Sequence, residues 1–341
     1  MFPLSIFRRK KDEGVPLAMV ALSDAPSAQI ACDAGIDAIL VGDSLGNTAL
    51  GFDSTLPVTM DMMAHHVGAV VRGVKSSSRP DVPIIADMPF GSYATVEKGV
   101  ENAVRLMQLG AHGVKVEGLG VHRPYYEDGD ASSLLGVLRS TGVPVMGHIG
   151  FTPQSALSLG SVVQGKTFEA AKTLFYQAQT LEQAGCFAVV LEAMTEEVAR
   201  KITEKRTFAT IGIGAGSGCD GQVLVWHDLV GISPKTLKMT RAYADTRELW
   251  TNALRDYKRD VEERAFPAEE NLWRMNSDEL DKWKREGMVV NYRGREYHDE
   301  PFVVVEPFEG EPFGAVERSG GGWERDSLSE DFDDSDPFAD D

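Results

Sequence analysis

The chain has 341 residues, 43% of them hydrophobic and 25% charged, and a formal net charge of −18. No apolar run approaches the ~20 residues that a membrane-spanning helix needs, and a surplus of acid works against gripping a phosphate backbone, so neither membrane nor nucleic acid is expected as a partner. Cys32, Cys186 and Cys219 are scattered; they have neither metal-ligand spacing nor the even count of a disulfide framework, which points to a reducing, cytoplasmic compartment.

In chain order, residues 1–17 place a short apolar stretch ahead of a basic cluster, the reverse of a secretory signal, and read as a flexible end. Short apolar, β-branched runs then recur at Ala18–Ser23, Ala38–Gly42, Pro83–Met88, Gly113–Glu117, Val143–His148, Phe187–Glu192, Thr207–Ile213 and Val223–Val230. Between them lie stretches of helical length, such as Ser92–Leu109 and Phe168–Ala184, each stopped by a glycine, Gly110 or Gly185. Eight strand–helix alternations predict an α/β fold, a (β/α)8 TIM barrel over residues 18–285. An open doubly wound sheet is the alternative on pattern alone. After the eighth run the spacing predicts a C-terminal helical extension, with one helix from Thr240 to about Arg264 and a polar piece over Ser277–Arg285. Residues 286–341 read as a disordered acidic tail, ending in Asp331, Asp333, Asp334, Asp336, Asp340 and Asp341. Within it Val289–Tyr292 and Phe302–Val305 are candidate short strands with no core to join.

Ionisable residues recur where the runs finish, the place where a barrel of this kind gathers its reacting groups. Run two ends in Gly42-Asp43-Ser44, run three in Ala86-Asp87, run four in Lys115-Val116-Glu117, run five in Gly147-His148 and run six in Leu191-Glu192. Taken singly, an Asp after a strand is a helix cap and a lone His a satisfied core residue. Five successive strands with such a residue are better explained by one shared mouth, because a charge inside an apolar strand is costly unless paired or liganded. Lys115 and Glu117 lie two apart, so strand alternation sends both to the barrel interior.

Asp43, Asp87 and Glu117 are hard oxygen donors with no cysteine beside them, which suits Mg²⁺ or a similar divalent cation. A 2-oxo acid offers such an ion its keto and carboxylate oxygens, and chelation acidifies the neighbouring C–H. Lys115 would then complement the developing negative charge, and Glu192 on the next-but-one strand would remove the proton. Gly212-Ile213-Gly214-Ala215-Gly216 allows close backbone approach to an anion or flat ring, but its spacing departs from the dinucleotide fingerprint.

Together these segments resemble the ketopantoate hydroxymethyltransferase family, within the phosphoenolpyruvate mutase/isocitrate lyase-like barrels. The resemblance is carried, in order, by Val41-Gly42-Asp43-Ser44-Leu45-Gly46, Asp53-Ser54-Thr55-Leu56-Pro57-Val58-Thr59, Ala86-Asp87-Met88-Pro89-Phe90, Val114-Lys115-Val116-Glu117-Gly118, Gly147-His148-Ile149-Gly150 with Thr152-Pro153-Gln154-Ser155, and the glycine-rich segment at Gly212. It implies that Asp43 and Asp87 are metal-site residues with Glu117 beside them. It further implies that Asp43, Ser44, Asp87, Lys115 and His148 bind the oxo acid 2-oxoisovalerate, and that Glu192 is the catalytic base. It also implies 5,10-methylenetetrahydrofolate as co-substrate, an aldol-like addition, and homo-oligomers, often decamers; no folate-binding residue is assigned.

This chain departs from the family pattern at several places. Ala21-Leu22-Ser23-Asp24 replaces Thr-Ala-Tyr-Asp, His65-His66 replaces Tyr-His, and Leu159-Gly160-Ser161-Val162 is smaller and more apolar than the family segment. These leave open a related hydroxymethyltransferase or a C–C lyase with another 2-oxo acid, and, more remotely, a non-catalytic scaffold.

Overall fold

In the computed structural model residues 2–118, 133–159, 162–234 and 237–286 are described. The chain divides into two compact units, residues 1–262 and 263–341. In the first unit eight strands, β1 (Leu17–Ala21), β2 (Ala38–Val41), β3 (Ile84–Asp87), β4 (Gly113–Glu117), β5 (Val145–Gly150), β6 (Ala188–Glu192), β7 (Ala209–Ile213) and β8 (Gly221–Val225), follow one another around a closed barrel. All neighbours are parallel, and β8 closes on β1 through Leu17 opposite Gly221 and Ala21 opposite Val225. The open-sheet alternative is thereby excluded.

The helices are α1 (Ser5–Glu13), whose Phe7 reaches the barrel-interior cluster at one end, α2 (Ala25–Asp33), the single turn α3 (Leu45–Thr48), α4 (Met60–Lys75), α5 (Val96–Gln108), α6 (Leu134–Ser140), α7 (Phe168–Gln183), α8 (Glu196–Lys205), the single turn α9 (Trp226–Leu229) and α10 (Thr246–Glu262). Several helices start by the same device, a polar side chain accepting a backbone N–H of the first turn. Thr59 caps α4 (3.3 Å from Met62 N), Thr95 caps α5 (3.3 Å from Lys98 N), Ser133 caps α6 (3.2 Å from Gly136 N) and Thr167 caps α7 (3.2 Å from Ala170 N). Asp24 does the same for α2, accepting from Ser27 N at 2.9 Å.

Strand alternation splits the core in two. One set, including Val20, Val41, Val114, Val116 and Ile149, faces outward onto helix residues such as Val67, Leu106 and Leu181. The other, including Met19, Leu40, Ile85, Met146, Val190 and Ile211, fills the barrel. Each such fully buried aliphatic side chain is worth about 1.5–3 kcal/mol over leaving it in water.

The structure corrects the sequence reading at three places. Residues 1–17, expected as a flexible end, carry α1, whose Phe7 is 1% exposed and joins the barrel-interior cluster edge-on to Phe187 at 5.2 Å. Lys10 and Lys11, expected as part of a loose basic cluster, anchor that helix through Asp37 at 2.6 Å and Asp220 at 2.7 Å. The eighth run stops at Val225, the last residue paired with β1, and its remainder coils into α9. The helix expected from Thr240 begins at Thr246, because Asp245 caps it by accepting from Glu248 N at 3.1 Å, whereas the Thr240 hydroxyl is held in a turn by the Leu237 carbonyl at 3.1 Å.

In the second unit the polar piece expected over Ser277–Arg285 is α11 (Ser277–Glu286). Residues 287–341, with the expected acidic tail and both candidate strands, lie outside the described residues.

Candidate active site

Register places the charged side chains. Asp87 lies opposite Lys115 across β3 and β4, Glu117 opposite His148 across β4 and β5, and Glu192 at the end of β6 opposite Gly150. The Lys115 ammonium is 3.1 Å from Asp87 Oδ1 and 3.4 Å from Glu117 Oε1. Glu117 Oε1 is also 3.1 Å from His148 Nδ1, and His148 Nε2 is 3.3 Å from Glu192 Oε2. At the end of β2, Asp43 N–H donates to Asp87 Oδ2 at 2.9 Å. Asp43, Asp87, Lys115, Glu117 and His148 are all buried, whereas the Glu192 side chain retains 15% exposure.

Three carboxylates close to one ammonium leave a surplus of negative charge out of water. Burial, then Asp87 and Glu117, push the Asp43 carboxyl well above the carboxylate range. Burial raises Asp87 as well, against the pull of Lys115. Glu117 takes the opposite course: burial disfavours its charge, but Lys115 and His148 overcome this and hold it at about 2. Burial likewise works against the Lys115 ammonium, and Asp87, Glu117 and Asp43 more than offset it. For His148, burial and the Lys115 ammonium, 3.2 Å from Nδ1, favour the neutral ring, yet Glu117 and Glu192 raise it to about 9 and keep it protonated near neutrality.

The donors fit a divalent cation in chemistry: hard oxygens, an excess of negative charge, and an Asp87 Oδ1 that is buried without an aligned hydrogen bond although 3.1 Å from Lys115. Among the described residues no three His, Cys, Asp or Glu side chains already stand as a closed ligand set. Asp43, Asp87 and Glu117 are instead engaged by their protein neighbours at one common cavity.

That cavity, of about 530 Å³, is the barrel mouth and is lined by Asp43, Ser44, Asp87, Lys115, Glu117, His148 and Glu192. All the residues expected at the site from sequence are thus brought together. The cavity also has an apolar wall: Leu40 and Val190, on the strands that carry Asp43 and Glu192, then Ile213, Val223 and Val225, together with Met239 from the segment after β8. The wall went unassigned, though the same two-residue alternation that placed Lys115 and Glu117 would have found its strand positions. Thr55 also lines the cavity, its buried hydroxyl without a hydrogen-bond partner. Gly214 and Gly216 have φ of 64° and 80°, and the space a Cβ would take is met by Met239 and Glu196 side chains. Their small size therefore serves internal packing.

A family model described as ketopantoate hydroxymethyltransferase matches residues 3–269. The chain belongs to the ketopantoate hydroxymethyltransferase family. Similar curated relatives are the 3-methyl-2-oxobutanoate hydroxymethyltransferases of Thermotoga sp. (strain RQ2), 48% identical over 79% of this chain and 96% of the relative, and of Carboxydothermus hydrogenoformans, 45% identical over 82% and 98%. In fold alone the chain is similar to the crystal structure of a protein described as a phosphonomutase from Burkholderia cenocepacia J2315, with a TM-score of 0.50 and 16% identity over 76% of this chain and 98% of that one. Of the segments that depart from the family pattern, Ser23 is buried with its carbonyl 2.7 Å from Nδ1 of His66, the neighbour of the changed His65 and itself the histidine of the family pattern. Gly160 and Ser161 lie outside the described residues.

Proposed function

We propose that this family member transfers a one-carbon unit from 5,10-methylenetetrahydrofolate to 2-oxoisovalerate, giving ketopantoate, with Glu192 as base. The observation that carries the reading is a cavity lined by both charged and branched aliphatic side chains, which matches a small oxo acid with a branched tail. Lys115 and His148, both cationic, face the oxo acid's carboxylate and the charge that develops on its keto oxygen. Ser44 and the ends of Asp43 and Asp87 form the adjoining floor. A divalent cation held by Asp43 and Asp87, with Glu117 beside them, would supply the Lewis acidity that polarises the keto group.

Glu192 ends β6 at the rim of the cluster, less buried than the others, where a carboxylate can take the C3 proton of the oxo acid. His148 Nε2 lies 3.3 Å from Glu192 Oε2, a charge contact without an aligned hydrogen bond. The C3 electron pair then forms the new carbon–carbon bond to the one-carbon unit in an aldol-like addition, tetrahydrofolate leaves, and water supplies the hydroxyl oxygen.

A lyase working through a reactive thiolate is disfavoured. All three cysteines are buried, and burial pushes Cys186 up to about 12 and Cys219 up to about 11, so neither is a thiolate at neutral pH. No helix among the described residues is long and apolar enough to cross a membrane. We place the enzyme in the cytoplasm as a homo-oligomer. Support for assembly comes from α10, which has no buried residue and exposes Leu249, Trp250, Leu254 and Tyr257. Light scattering that returns the monomer mass would refute it.

The activity is tested by mass detection of product from a panel of branched and linear 2-oxo acids with methylenetetrahydrofolate and Mg²⁺. Hydroxymethylation of 2-oxoisovalerate ahead of the other acids is expected. Preference for another acid would reassign the substrate, and no product from any acid would leave a scaffold.

A further inference from the structure

Behind the charged cluster, and outside the cavity lining, sits a side chain to which neither the reaction nor the resemblance assigns a role. Gln154 follows β5 in the Thr152-Pro153-Gln154-Ser155 segment and is 6% exposed. Its Nε2 donates to Asp43 Oδ2 at 2.8 Å and to the Met88 carbonyl at 3.0 Å. Its backbone N–H donates to Glu117 Oε2 at 3.1 Å, and its Oε1 accepts from the Tyr93 hydroxyl at 2.5 Å. Tyr93 OH also lies 3.3 Å from the Glu117 carbonyl oxygen.

These contacts fix the amide's orientation. The Met88 carbonyl and the Asp43 carboxyl face Nε2, so the reversed amide would set its oxygen against the Met88 carbonyl oxygen. One residue therefore holds one oxygen each of two carboxylates that come from different strands, β2 and β4, and ties both to the chain after β3. The amide donor fixes the Asp43 carboxyl beside Asp87 and Glu117 without adding a positive charge that would compete with a cation. Tyr93 completes the arrangement by locking the amide that does the holding.

We propose that Gln154, locked by Tyr93, is the positioning residue that presents Asp43 and Glu117 to a divalent cation. The proposal rests on the reading of these carboxylates as the cation site. Outer contacts of this kind are typically worth 10–100-fold in metal affinity.

The test is Mn²⁺ binding to the full-length protein, measured by titration calorimetry and by electron paramagnetic resonance of free Mn²⁺, with 2-oxoisovalerate present. Gln154→Leu keeps the backbone N–H and the side-chain bulk while removing both amide atoms, and about 10–100-fold weaker Mn²⁺ binding is expected. Tyr93→Phe should weaken binding in the same direction by less, and the double variant should bind no worse than Gln154→Leu alone, because Tyr93 acts through Gln154. A purely structural role would lower the melting temperature and leave Mn²⁺ affinity unchanged, and that result would overturn the proposal, as would additive losses in the double variant. If Gln154→Leu does not fold, Tyr93→Phe with unaltered Mn²⁺ affinity overturns it equally. Absence of Mn²⁺ binding by the unsubstituted protein would instead remove the cation site, and with it this proposal at its foundation.

Discussion

Lys115 is the only ammonium in contact with Asp87 and Glu117 among the described residues, so Lys115→Met, which keeps most of the stem, is a direct probe of the cluster's electrostatics. The side chain is 4% exposed, its charge 3.1 Å from one carboxylate and 3.4 Å from another, so water cannot replace it. Removing one partner of such a buried pair costs about 3–5 kcal/mol. At about 2–4 °C per kcal/mol for a domain of this size class, the melting temperature of EDTA-treated protein should drop by about 6–20 °C. The direction with pH follows from the carboxylates. Without Lys115, Asp87 and Glu117 lose the charge that lowered them and their folded-state values rise, so the variant binds more protons when folded. Its deficit should therefore be greatest near about pH 8 and narrow towards about pH 5, read by thermal unfolding at both. Oxo-acid binding should be lost at every pH. A variant that melts within about 2 °C of its parent at about pH 8 would show that the cluster is open to solvent and that the charge balance derived above is wrong.

Glu192→Gln should reduce exchange of the C3 proton of 2-oxoisovalerate with deuterated water by about 10²–10⁴-fold while oxo-acid binding persists; unchanged exchange by NMR would reassign the base. Gly150→Ala should cost at least about 2 kcal/mol and reduce turnover, since φ is +100° there and an added Cβ would collide with the Glu192 carbonyl oxygen, and denaturant unfolding together with steady-state kinetics reads both. Phe7→Ala should destabilise by about 3–5 kcal/mol; a neutral result in urea unfolding would mean that α1 is not part of the folded barrel. At Glu182, burial works to raise the carboxyl, but hydrogen bonds from Thr207 N (2.6 Å) and Thr207 Oγ1 (2.8 Å), with Arg206 at 3.1 Å, hold it below its ordinary value. A depressed acid stabilises above its unfolded value and loses that contribution as pH falls through the folded value. The stability gap between parent and Glu182→Gln, about 1 kcal/mol at neutral pH, should thus close in acid, read by urea unfolding at both pH values.

Much of the barrel and its mouth was legible because both depend on the two-residue period of a strand. Once β4 is a strand, Lys115 and Glu117 share a face, and recurrence of the pattern at Asp87, His148 and Glu192 gathers them whatever the loops do. What escaped depends on contacts between distant residues that no local period encodes. Phe7 ends an apolar stretch too short to announce a helix, and its place is set by contacts with distant residues such as Phe187. Gln154 was visible as part of a motif, but its partners Asp43, Met88 and Tyr93 come from other strand ends, so its task appears only when the chain is closed. The limits of β8 and α10 were missed because an apolar run does not announce where pairing ends or where a cap such as Asp245 intervenes.

The helix across the lower end of the barrel has one more consequence. With Phe7 stoppering that end and Met19, Ile85, Met146 and Ile211 packed above it, the described residues close the reaction chamber there. On the proposed reading, oxo acid and folate would both have to reach the charged cluster from the opposite end, where Ser44 and Met239 line the mouth.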